Sequence, residues 1–175
     1  MSLTEVKCQE YRSYIDVHRA YVKAAYNIYE KFFISFFSIP SSMRDCIANQ
    51  IDHHDESKYD KAEFYAYRKY FFPTPEEANQ KNEETTHDFH KAWLHHIHEN
   101  PHHPEHWQYY DNETGELVLI KIPYEYIVEM ICDWLAMSKL DVPNMLKWYD
   151  EEGSKKKMHP DTKHIVERLL HELSL

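Results

Sequence analysis

The stretch Asp52-His53-His54-Asp55-Glu56-Ser57-Lys58 concentrates the residue types that bind metals and phosphates. The adjacent pair His54-Asp55 offers an imidazole nitrogen and a carboxylate to one divalent ion from a single helix end. Lys58, three residues beyond Asp55, can offset the charge of a bound phosphate. In a chain with 14 histidines such a pair also arises by chance. Its meaning depends on which other histidines and acids converge on it.

Helices must do the positioning. The chain has 175 residues, 42% of them hydrophobic, with only 2 glycines and 8 prolines, a balance that predicts long helices and one domain over residues 1–175. From about Thr4 to Phe37, the residues Tyr11, Ile15, His18, Val22, Ala25, Tyr29, Phe32 and Phe36 recur at spacings of three and four. That is one long helix with one buried face, and His18 lies in the middle of it. A buried imidazole needs a partner, either a backbone carbonyl or a metal.

Pro40-Ser41-Ser42 breaks this helix and caps the next. There Met43, Ile47, Ile51 and His54 follow one stripe, while His53 falls about a hundred degrees round, toward solvent. Residues Asp60 to Phe72 form another amphipathic pattern, closed by Pro73-Thr74-Pro75. The polar residues 76–84 read as an exposed helix start or a loop. From Thr86 onward Phe89, Trp93 and His96 share a face that excludes His95, and Asn100-Pro101 stops the helix.

A histidine-dense corner follows, from His102-His103 to Trp107, and residues 107–122 read as a small β-hairpin. Pro123 opens a helix to about Leu140 that is apolar on most sides. Tyr126, Met130, Asp133 and Met137 make its stripe, with Glu129 one turn before Asp133. A carboxylate on a buried face needs a paired group or a metal. A segment around Met145 to Tyr149, a lysine-rich loop at 155–157 and an amphipathic helix from Pro160 complete the chain. The fold expected is all-α, a helical bundle with at most one small hairpin.

Separate helices thus bring His18, His54 with Asp55, His96 and Asp133 to inward positions, and the corner adds His102 and His103. A shared cation would satisfy them together. Mixed imidazole and carboxylate donors suit one or two ions of Fe, Mn, Zn, Ni or Co better than Mg or Ca. The formal charge of −10 argues against non-specific nucleic-acid binding, which needs a basic surface. Three widely spaced cysteines without a CxxC fit reduced thiols in the cytoplasm. The greasy run from Phe32 to Phe37 is too short to span a bilayer, so no membrane association is expected.

The order His … His-Asp … Asp, carried by His18, His54-Asp55 and Asp133, resembles the HD-domain superfamily of helical metal-dependent phosphohydrolases. The segment His54-Asp55-Glu56-Ser57-Lys58 is similar to the HDxGK motif of its cyclic-dinucleotide branch, which also has a later His and a His-His pair, as in His96 and His102-His103. Ser57 stands where that branch has glycine, and its Gly-Tyr-Pro tripeptide is absent, so the likeness does not extend to a cyclic-dinucleotide substrate. The chain is also similar, over most of its length, to small bacterial and phage proteins sharing HDxSK, AWxxHxxxNxHHxExW and EMxxDW. Here these are His54 to Lys58, Ala92 to Trp107 and Glu129 to Trp134.

The HD resemblance implies hydrolysis of a phosphoric ester or anhydride in a small phosphorylated or nucleotide substrate. One ion would take His18, His54, Asp55 and Asp133. A second would share Asp55 and take His96 with one or both of His102 and His103. Asp55 and Lys58 would be catalytic, and Glu129 would orient a ligand imidazole or simply cap. The same superfamily includes mixed-valent di-iron oxygenases with nearly the same ligands. A non-catalytic, metal-stabilised binding protein is a further alternative.

Overall fold

The computed structural model describes residues 1–80 and 82–175; Lys81, within the polar stretch 76–84, lies outside the described residues. In chain order the elements are α1 (Leu3–Phe37), α2 (Ser41–Asp52), α3 (Phe64–Phe71), α4 (Pro75–Asn79), α5 (Glu83–Glu99), β1 (Gln108–Tyr110), β2 (Leu117–Leu119), α6 (Tyr124–Met137), α7 (Val142–Glu151) and α8 (Pro160–Leu173). The architecture is all-α with one small antiparallel hairpin, in which Tyr109 pairs with Val118. Two compact units form, one from residues 1–19 and 55–100, the other from residues 20–54 and 101–175.

In the first unit Tyr11, Ile15, Phe64, Tyr67 and Ala92 make the core. The amphipathic pattern from Asp60 suggested a helix that starts four residues too early. Asp60 is extended (φ −73°, ψ 151°) and closes a 3₁₀ turn over Glu56–Tyr59, so the helix proper begins at Phe64. Thr74 and Glu77 form a reciprocal capping box that starts α4, with Pro75 in the first turn. Glu77 also holds the buried Arg68 in a two-pronged ion pair. The helix expected from Thr86 begins at Glu83, because the Asn82 side chain accepts the Thr85 N–H and supplies a cap three residues earlier.

The second unit is built round α6, where residues 127–132 and 134–136 are all buried. Its helix ends at Met137, short of the expected Leu140. The Leu140 N–H reaches back to the Leu135 carbonyl while Lys139 (φ 53°) and Leu140 (φ 64°) are left-handed, a closing geometry that stops the helix. Met137 is consequently an exposed end residue and not part of a buried stripe. Ser38 (φ 53°) ends α1 in the same manner, and Ile39 folds inward behind it. Pro40, not a serine, is the N-cap of α2, and no side chain caps that helix. Trp134 packs on Trp148 and Tyr149, with ring centroids 5.2 and 5.7 Å away. Among the described residues no helix is long and apolar enough to cross a membrane.

Candidate metal centre

In the first unit the group gathers on Asp55. This residue follows the end of α2, and its left-handed backbone (φ 57°, ψ 21°) turns the chain into the 3₁₀ turn that carries Ser57 and Lys58. Its two oxygens face different rings: Oδ2 is 3.6 Å from His18 Nε2, and Oδ1 is 3.3 Å from His96 Nε2. The other nitrogen of His96, Nδ1, is 2.8 Å from Oε2 of Glu63, a residue with no solvent exposure. His95 Nδ1 takes the second Glu63 oxygen at 2.8 Å.

Burial alone would raise the Glu63 carboxyl, but hydrogen bonds from His96 and His95 outweigh it and lower it. Burial lowers His96, with Glu63 acting against it. Both directions describe one state: an ionised glutamate and a neutral imidazole whose proton sits on Nδ1. That tautomer leaves the Nε2 lone pair pointing at Asp55.

A parallel arrangement stands in the second unit. His54 Nδ1 lies 2.8 Å from Glu129 Oε1, while its Nε2 is 3.7 Å from Asp133 Oδ1. His102 Nδ1 lies 3.1 Å from the same Glu129 oxygen, and Gln50 donates to Oε2 at 2.5 Å. Against the upward push of burial, the His102 and His54 rings hold the Glu129 carboxyl down at about 2. The His54 and His102 rings are 4.3 Å apart, and His103 packs on His102 at 4.2 Å. His54, His102 and Glu129 each place a donor atom within 4.8 Å of the others, close enough to hold a metal ion.

These spacings fit a divalent cation. Ligand atoms about 2.1 Å from a shared tetrahedral ion lie about 3.4 Å from one another, near the Nε2-to-Asp separations in both units. In each case the opposite ring nitrogen is tied to a buried glutamate, the arrangement that fixes the tautomer and orientation of metal-ligating histidines. Cys132, fully buried on α6, is held as a thiol because burial pushes its pKa well up.

The expected residues fall as follows. His18, Asp55 and His96 are buried together in the first unit, with Lys58 beside them, its ammonium 2.5 Å from Asp55 Oδ2. His54 and His102 are buried in the second, with His103 and Asp133 half-buried. His53 is exposed, its Nδ1 2.8 Å from the Asn49 carbonyl, as the stripe through His54 predicts. Glu105 pairs with Lys156 at 2.8 Å.

A family model described as a family of unknown function, DUF5662, matches residues 7–172. The chain belongs to this family. DUF5662 membership brings no chemistry with it, and comparison with curated proteins and with solved structures finds no match.

Sequence reasoning missed several residues of this DUF5662 chain. Glu63 went unnoticed because it lies in the turn before α3, outside any clear stripe. Asn100 reads as a helix stop, yet its side chain bonds the Ser57 hydroxyl at 2.7 Å and the His96 carbonyl at 2.8 Å. Tyr11 reads as a plain member of a buried stripe, and nothing in the amphipathic pattern of residues 60–72 singles out Tyr67. Their hydroxyls are buried with no hydrogen-bond partner among the described residues, and Tyr67 lies 5.8 Å from the His96 ring. Burial first, and then the Asp55 and Glu63 charges, push both phenols well up, so both remain proton donors. Hydroxyl direction leaves no trace in a helical stripe.

Proposed function

We propose that this protein is a metal-dependent phosphohydrolase acting on a small phosphorylated or nucleotide substrate. One observation carries the reading: each unit contains an imidazole whose Nδ1 is held by a buried glutamate while Nε2 faces an aspartate. The chain order His18, His54-Asp55, Asp133 agrees with the HD resemblance. His54 and Asp55 share a peptide bond, so the imidazole heading one group and the carboxylate heading the other are joined covalently.

On this reading His18, Asp55 and His96 would hold an ion in the first unit, and His54 and Asp133 with His102 or His103 would hold one in the second. The bound metal supplies Lewis-acid stabilisation of charge on the phosphoryl group during hydrolysis. The chain's own residues do the remainder. Glu63 and Glu129 keep the Nδ1 protons of His96 and His54, so that Nε2 stays a donor of electrons. Asp55 supplies the carboxylate that two histidines face. Lys58, released from Asp55, binds a phosphate oxygen.

Metal analysis of protein purified without added metal, followed by a phosphatase and nucleotidase panel with that metal, tests the reading. A transition metal at one or two equivalents with phosphate release supports it. Metal without phosphate release, accompanied by colour in air and the EPR signal of a mixed-valent iron pair, would assign the oxygenase instead. A bound metal whose removal unfolds the chain, with no turnover of any kind, would assign a binding role.

A further inference from the structure

A groove of about 340 Å³ lies within the first unit, between α3 and α5 and apart from every candidate metal ligand. Lys61, Arg68, Lys69 and Lys91 line it, against a single lining carboxylate, Asp88. On a chain with a formal charge of −10, four cations on one groove are a local inversion of sign. Lys61 and Lys91 are exposed, whereas Arg68 is only 5% exposed. Its terminal nitrogens are committed to Glu77 outside the lining, yet its Nε–H has no partner among the described residues. Tyr65 stands in the same wall with 55% of its surface exposed.

We infer that this groove binds a nucleoside diphosphate. Adjacent ammonium groups closer than a Debye length repel one another until an anion settles between them. A diphosphate carries enough charge to bridge Lys61, Lys69 and Lys91. Arg68, held in the wall by Glu77, adds fixed positive charge beside these mobile ammonium groups. The exposed Tyr65 ring offers a flat face on which a base can stack. The volume stands at the small end of ligand pockets, which favours a nucleotide over a polymer. The site is a binding site only; its lining holds no pair of groups suited to proton transfer at phosphorus.

Isothermal titration of the full chain at about 50 mM salt, where charge contacts are weakly screened, tests the inference with three probes: ADP, pyrophosphate and adenosine. ADP should bind saturably, pyrophosphate about tenfold more weakly, and adenosine not measurably. Lys61→Glu with Lys91→Glu, both at exposed positions, should weaken ADP at least about tenfold while leaving the circular dichroism spectrum unchanged. Tyr65→Ala should weaken ADP and spare pyrophosphate. Asp55→Asn should leave ADP binding intact, which separates this groove from the metal centre and from the proposed hydrolysis. Absence of ADP binding, or binding untouched by the charge reversals, would overturn the inference. So would ADP binding lost in Asp55→Asn, and pyrophosphate binding as tight as ADP would remove the nucleotide assignment.

Discussion

Asp55 combines two constraints that a single substitution can pull apart. Its left-handed backbone (φ 57°) costs most residues about 1 kcal/mol or more, and among residues with a Cβ it costs asparagine and aspartate least. Asp55→Asn therefore keeps the turn and removes the charge. Metal content should fall sharply in this variant while the fold persists, as measured by elemental analysis beside circular dichroism. Lys58 has the opposite relation to a cation. Its ammonium occupies Asp55 Oδ2 and must leave before a divalent ion can take that oxygen. Lys58→Met should preserve metal stoichiometry and tighten binding roughly tenfold in competition with a chelator, since about 1.4 kcal/mol of ion pairing need no longer be broken. It should also lower kcat/KM toward a phosphorylated substrate. Much of this site was legible at residue scale because helical phase separates neighbours: it places His54 inside and His53 outside, and it buries His96 more deeply than His95. Glu63 was not legible, because a turn residue has no phase, and its role depends on which rings the fold brings to it.

At the scale of elements, the clasp between α3 and α4 rests on Glu77. Arg68 lowers this carboxyl to about 2, first through its hydrogen bonds, with Thr74 adding to the effect against the upward push of burial. Glu77→Gln would leave a buried guanidinium without its counter-charge, at a cost of about 3 kcal/mol in urea unfolding at neutral pH. The sign follows from the depressed carboxyl: its stabilisation is complete above the unfolded value near 4.5 and is lost as pH falls toward 2. The difference between wild type and variant should therefore shrink across that window, and a constant difference would remove the electrostatic account. A second element-scale test is Gly153. A Cβ there would meet Tyr149 Cδ2 at 2.7 Å and Trp148 Cζ3 at 3.0 Å, both in the aromatic stack on Trp134. Gly153→Ala should cost about 1–3 kcal/mol, readable as a lowered midpoint in urea. Helix existence was readable from periodicity, whereas several ends were not. Left-handed closure at Lys139 is set by a backbone hydrogen bond and the start at Glu83 by the Asn82 side chain accepting the Thr85 N–H, neither of which a stripe of apolar residues encodes.

Across the whole molecule, metal binding should couple stability to composition of the solution. An ion that binds only the folded state adds about 2.7 kcal/mol at a concentration one hundred times its Kd. For a chain of this length that corresponds to a rise in Tm of about 5–10 °C, reversed by a chelator. The distribution of that gain is the more informative measurement. The first unit presents Nε2 of His18 and His96 to Asp55, and the second presents Nε2 of His54 to Asp133. An ion on the first group would protect α5 from amide hydrogen exchange, and an ion on the second would protect α6. Asp55→Asn, which touches only the first group, should then abolish the added protection in α5. Protection of α6 that survives this substitution would mean a separate ion on His54, Asp133 and their neighbours. The ligand set would then divide at the His54–Asp55 peptide bond, and Asp55 could not be a ligand common to two ions.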